Sequence, residues 1–131
     1  MPTQHVNPAG VGAPSNYTHV VASSGGSIVF ISGQIGMDAA GNIAGDTLGA
    51  QGTQVFENLK VCLASVGATF ENVLKLTTFV VNYKPELRPI IGKARSAFFE
   101  GMEPPASTLV GVSALAAPEW LIEIEAIAVA D

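Results

Sequence analysis

The side chains able to do chemistry fall in a few short stretches of this sequence. Glu123 and Glu125 stand two apart in a β-prone run near the C-terminus. Strand side chains alternate, so both carboxylates point to one side, with Leu121, Ile127 and Val129. A carboxylate among apolar neighbours serves proton transfer, or interface hydrogen bonds, or is simply solvated. Tyr17 and His19 are also two apart and share a face if their run is a strand. His19 is then an added acid or base, or an ordinary strand histidine. Arg88, Gly92 and Arg95 are spaced by four and three residues, which places them on one flank of a predicted helix. The missing side chain at Gly92 opens space between two arginines. Arg88 or Arg95 can supply an anion contact there, or both are solvated. Trp120 precedes the last strand and either lines a cleft mouth or packs. Cys62 is the only cysteine, which excludes an intrachain disulfide and a cysteine-rich zinc site. It falls on the apolar side of a predicted helix, as a buried thiol rather than a nucleophile.

These residues need elements to hold them. Residues 1–16, rich in Pro, Gly, Ala and Asn, read as an irregular arm. Tyr17 to Ala22 and Ser27 to Ser32 read as two strands joined by Ser23-Ser24-Gly25-Gly26, a plausible hairpin. Asp38 to Asn42 is a turn leading to a short extended piece near Ile43. Asp46 or Thr47 caps a helix running to about Val66, with Val55, Leu59, Cys62, Leu63 and Val66 at helical spacing. Gly67 suits its left-handed terminus. Leu74 to Asn82 is dense in β-branched residues and reads as a strand. Pro85 opens a second helix, whose buried stripe is Leu87, Ile90, Ile91, Ala94 and Phe98 and whose end is Gly101. Two more strands follow, about Ser107 to Ser113 and Leu121 to Val129. This order implies an α+β fold, a two-layer sandwich of one mixed β-sheet with two helices on one face. The other sheet face is left open and must be buried by something.

Composition points the same way. The chain has 131 residues, which reads as a single domain over 1–131. Hydrophobic residues make up 48% and charged residues only 13%, too apolar for disorder and lightly charged for a small monomer, so an oligomer is expected. The net charge of -5 and the absence of a Lys/Arg run argue against nucleic acid as a partner. No apolar run is long enough to span a membrane and no signal-peptide pattern opens the chain; the expectation is a soluble, cytoplasmic protein.

Several segments resemble the Rid (RidA, YjgF) family in order and spacing. Tyr17-Thr18-His19-Val20 sits where the family has Pro-Tyr-x-Gln. Ile31-Ser32-Gly33-Gln34-Ile35 matches its Ser-Gly-Gln signature, and Asn58-Leu59 its Asn-Leu pair. Ala97-Phe98-Phe99 matches the end of its second helix, and Pro105-Ala106 opens the segment that normally continues with Arg. Ile122-Glu123-Ile124-Glu125-Ala126-Ile127-Ala128 is a close copy of its C-terminal signature. The resemblance implies a chorismate-mutase-like fold and a homotrimer whose sheets form a central barrel. It also implies sites in the clefts between subunits, which in the RidA branch hydrolyse reactive 2-imino or enamine acids to 2-keto acids and ammonia. No metal or organic cofactor is implied.

By the same resemblance, Glu123 is the acid that positions and activates water. Tyr17 is the cleft tyrosine, and Ser32-Gly33 is the element that meets a polar substrate atom. The departures are as informative. Ser107 stands where RidA proteins carry the arginine that grips the substrate carboxylate, and a serine cannot reproduce a bidentate cationic grip. Gly92 replaces a cleft asparagine, Leu109 falls where some relatives have a cysteine, and His19 replaces glutamine. Two functions follow: a hydrolase (deaminase) of imine or enamine metabolites with a retuned preference, or a non-catalytic metabolite-binding or chaperone-like regulatory trimer. The acidic charge weighs against a ribonuclease, and a purely structural trimer is a fourth reading.

Overall fold

The computed structural model describes residues 3–131. Two helices pack on one face of a four-stranded mixed sheet. The chain runs β1 (Thr3–Val6), β2 (Val20–Ser23), β3 (Ser27–Ile35), α1 (Leu48–Ala64), β4 (Val73–Val81), α2 (Arg88–Phe99), β5 (Ala106–Val112) and β6 (Ile122–Ala130). Short 3-10 turns at Phe70–Asn72 and Pro85–Leu87 lead into β4 and α2. The sheet order is β3-β6-β4-β5, with β6 antiparallel to both neighbours and β4 parallel to β5.

The α+β layering matches the expectation from the sequence, but the N-terminal region does not. The supposed irregular arm contains β1, and β2 pairs antiparallel with β1 instead of forming a hairpin with β3. Residues 17–19 precede β2, so Tyr17 and His19 do not share a strand face. β-propensity marks a segment as extended without choosing its partner, and the run Thr3-Gln4-His5-Val6 was hidden by the Pro/Gly-rich stretch after it. The β1–β2 ladder is fastened to the chain just before β5: His5 pairs with Glu103 at 2.9 Å, and Thr18 bonds the carbonyls of Pro104 and Pro105.

The helices follow local chemistry. Thr47 caps α1, its hydroxyl accepting from the Ala50 N–H at 3.2 Å. Gly67, at φ +73°, turns the chain out of the helix. The buried stripe of α1 is Val55, Phe56, Leu59 and Leu63; Val66 lies past the last turn and is exposed. On α2 the buried residues are Ile91, Ala94 and Phe99, whereas Ile90 is exposed. Phe56, Phe70, Phe98 and Phe99 form an aromatic cluster between the two helices and the 3-10 turn before β4. Opposite them lie Ile122, Ile124, Ala126 and Ala128 of β6 with Leu76 and Val80 of β4. Each fully buried large side chain contributes about 1.5–3 kcal/mol.

The other face of the sheet is uncovered. Ile28 and Phe30 of β3 are 68% and 76% exposed, and Val110 of β5 is also exposed. A small domain rarely leaves so many large apolar side chains in one place without a partner.

One buried polar side chain ties the layers together. Gln51 of α1 donates to the carbonyls of Gly45 and Glu119, both at 3.0 Å, and accepts from the Leu121 N–H at 2.9 Å. It anchors the start of β6 to the helix. Gly36 makes room for it: a Cβ there would lie 2.7 Å from the Gln51 Cβ. Replacing Gln51 by Leu orphans these buried groups and is expected to destabilise the fold by about 2–3 kcal/mol, read as a lower urea midpoint at unchanged m-value.

Candidate functional site

Strand parity divides the sequence-derived site residues into two groups. Ser107 pairs with Leu76 and Leu109 with Thr78, so both face the helices. Glu123 pairs with Phe79 and Glu125 with Thr77, so both carboxylates face the uncovered side. Ser107 and Glu123 therefore lie on opposite faces of the same sheet.

The helix-side group converges on one pocket. It is an open depression of about 1190 Å³ between α2, the start of β5 and the loop before β2. Tyr17, Arg88, Gly92, Arg95, Ser107 and Leu109 all line it. The spacing argument for one flank of α2 holds, since all three of its residues reach the same space. No atom lies within 4 Å of where a Gly92 side chain would begin. His19 is absent from this lining: its Nε2 lies 2.6 Å from the Gly12 carbonyl, and its ring packs edge-on against Tyr17 with centroids 5.2 Å apart. It positions the tyrosine rather than facing the pocket. Trp120 is also outside the pocket lining, and its buried indole N–H has no partner among the described residues.

Arg95 is the pocket's unusual charge. Its Nη1 donates to the Ser107 hydroxyl at 3.3 Å, and its guanidinium lies over the Phe99 ring, 5.6 Å from the centroid. Its Nη2 is buried and meets no acceptor among the described residues. No carboxylate pairs with it among the described residues, and burial pulls its pKa below the ordinary guanidinium value. Ser107 thus holds an arginine delivered from α2.

Glu123 is placed by a β-bulge. Register between β3 and β6 jumps from Ile31–Ala126 to Gln34–Ile124, leaving Ser32 and Gly33 together opposite Glu125. The Glu123 side chain occupies the space over Gly33: a Cβ there would lie 2.8 Å from its Cγ and closer still to its carboxylate. A side chain at position 33 would push the Glu123 carboxylate out of this seat. The Ser32-Gly33-Gln34 signature is therefore the device that seats Glu123. Ser32, Gly33 and Glu125 also border a shallow hollow of about 320 Å³ with Phe30 and Ile127. Asn58 steadies this end of β3 from α1, donating to the carbonyls of Ile35 and Met37 at 3.0 and 2.8 Å.

Some pocket residues were not picked out from the sequence. Tyr83 lines the pocket and packs against β5, where a Cβ on Gly111 would lie 2.9 Å from the Tyr83 Cβ. The available signal was Asn82, whose left-handed φ of 50° ends β4 and swings the tyrosine round. Asn16, at φ 63°, does the same before Tyr17. Among the described residues no three His, Cys, Asp or Glu side chains converge as a metal site, and no helix is long and apolar enough to cross a membrane.

Comparison with known proteins bears on this arrangement. The model of the endoribonuclease L-PSP family matches residues 9–130. Protein DfrA of Myxococcus xanthus is 37% identical over 115 residues, 86% of this chain and 84% of that protein. A 2-iminobutanoate/2-iminopropanoate deaminase of Dermatophagoides farinae is 33% identical over 105 residues, 79% of each chain. The solved structure of YyfB, a Rid-family protein from Yersinia pestis, superposes with a TM-score of 0.93 at 40% identity, covering 99% of this chain and 100% of that one. The match along nearly the whole length, together with the Ser-Gly-Gln bulge and the glutamate it seats, shows that this chain belongs to the Rid (YjgF) family, the endoribonuclease L-PSP family of proteins.

Proposed function

We propose that the protein is a hydrolase of small imine or enamine metabolites, acting in clefts that two copies of the chain complete together. The observation that carries this reading is the seating of Glu123 against Gly33 in the Ser32-Gly33 bulge, a positioned carboxylate on the open face of the sheet. The pocket holding Tyr17 and Ser107 lies on the other side of the sheet. One chain supplies two half-sites that point apart, and a second copy is needed to unite them. The exposed Ile28, Phe30 and Val110 support such an association, with a trimeric barrel as the arrangement. The deaminase named among the relatives supports the reaction class.

In the proposed reaction Glu123 takes a proton from water as the new C–O bond forms and the C=N π pair moves to nitrogen. The carboxylic acid then protonates the nitrogen of the carbinolamine. As the C–N bond breaks, the hydroxyl passes its proton by way of the Glu123 carboxylate to the departing nitrogen, so that a protonated imine and water give a carbonyl compound and ammonium. Tyr17 and the Ser107 side of the pocket hold the substrate in line.

The shared site is tested by complementation. Glu123→Gln alone and Leu109→Trp alone, the latter filling the pocket, are each expected to lose imine hydrolysis. Mixed one to one during refolding, they should regain about one quarter of wild-type activity, because random assembly pairs one intact half of each kind that often. A mixture as inactive as its parents rules out sites shared between copies. Phe30→Asp, in turn, is expected to give a smaller assembly by light scattering with an unchanged helical circular dichroism spectrum, since Phe30 points away from the core.

A further inference from the structure

We propose that Arg95 is the anion anchor of the pocket and that its ligand is a carboxylate carried on an apolar body of about ring size. This deepens the imine-hydrolase reading and rests on it for the reacting group, while the binding claim stands on the pocket alone. A guanidinium offers a planar fork of N–H donors that matches a carboxylate. In Arg95 one arm of that fork is spent on a neutral hydroxyl, and the other, Nη2, has no acceptor among the described residues. Arg95 is half-buried with one guanidinium nitrogen left without a hydrogen bond, and an entering anion offsets the cost of that unmade bond. Nη2 is enclosed, so the anion reaches it when the last side-chain torsions rotate, a small movement for arginine. Arg88, which also lines the pocket, is exposed and already hydrated, so it gains less from an anion.

The apolar body follows from the remaining walls. Tyr83, Ile91, Met102 and Leu109 border the same space, and Gly92 contributes no side chain to fill it. Small-molecule sites are lined mostly by apolar side chains with a few placed polar groups, and the lining of this open pocket has that mixture.

The test compares phenylacetate, its uncharged isostere phenylacetamide, and acetate, by calorimetric titration of the intact assembly. Wild type is expected to bind phenylacetate at least about tenfold more tightly than phenylacetamide, as charge-assisted hydrogen bonds predict, and more tightly than acetate. Arg95→Met and Arg95→Gln should lose the preference for the charged ligand, and Arg88→Met should keep it. Equal binding of phenylacetate and phenylacetamide to wild type, or a preference that survives Arg95→Met, overturns the anchor. Acetate binding as tightly as phenylacetate overturns the apolar body. A wild type with the predicted preference but no turnover of any imine refutes the hydrolase reading and leaves the anchor standing. Turnover that is indifferent to a carboxylate does the reverse.

Discussion

The pleat of β4, β5 and β6 is the constraint on which the site depends. Side chains alternate along a strand, and pairing carries that alternation across the sheet. Leu76 is locked beside Ser107 and Ala126, all facing the helices, while Phe79 is locked beside Glu123, facing outward. Once Ile122 and Ile124 are committed to the core, Glu123 has no other side to occupy. A one-residue slip would bury both glutamates and expose the isoleucines, so the register is held by the whole core energy. The separation of the acid from the pocket is thus not a local accident that a loop movement could repair. It is a consequence of which residues are apolar in β6, and the same alternation places Phe30 and Ile28 where another copy can cover them.

Much of this was legible in the sequence because it follows from local rules. Thr47 and Gly67 bound α1 as cap chemistry requires, and the three-four spacing of Arg88, Gly92 and Arg95 gave their common flank on α2. What failed depends on partners distant in sequence. Val20 to Ala22 is extended as its β-branched content suggests, yet it pairs with residues 3–6, and nothing within either run encodes that choice. His19 was grouped with Tyr17 by a strand period that does not operate before Val20. Ile90 fits the helical period but lies at the edge of the buried arc, where the extent of the neighbouring layer decides exposure. Tyr83 escaped notice because its position depends on a left-handed Asn82 and on the absence of a side chain at Gly111, two facts far apart in sequence.

The Ser107–Arg95 contact ties an edge strand to the helix packed above it. An arginine at position 107 would rise from an edge strand beside β4; Arg95 arrives from the helix packed above the same strand, and the 3.3 Å contact records that the two side chains address the same volume. The origins differ in what they demand of the surroundings. A guanidinium from α2 has to run past Phe99, and its position there is steadied by the ring. The space opened at Gly92, one turn earlier on the same helix, then lies beside the charge instead of opposite it. Rooting the cation on the helix therefore sets more than its own position. It places the open space at Gly92 beside the charge, on the same helix. Specificity in such a pocket is set jointly by where the arginine is rooted and by which neighbouring side chain has been deleted, and neither residue carries that information alone.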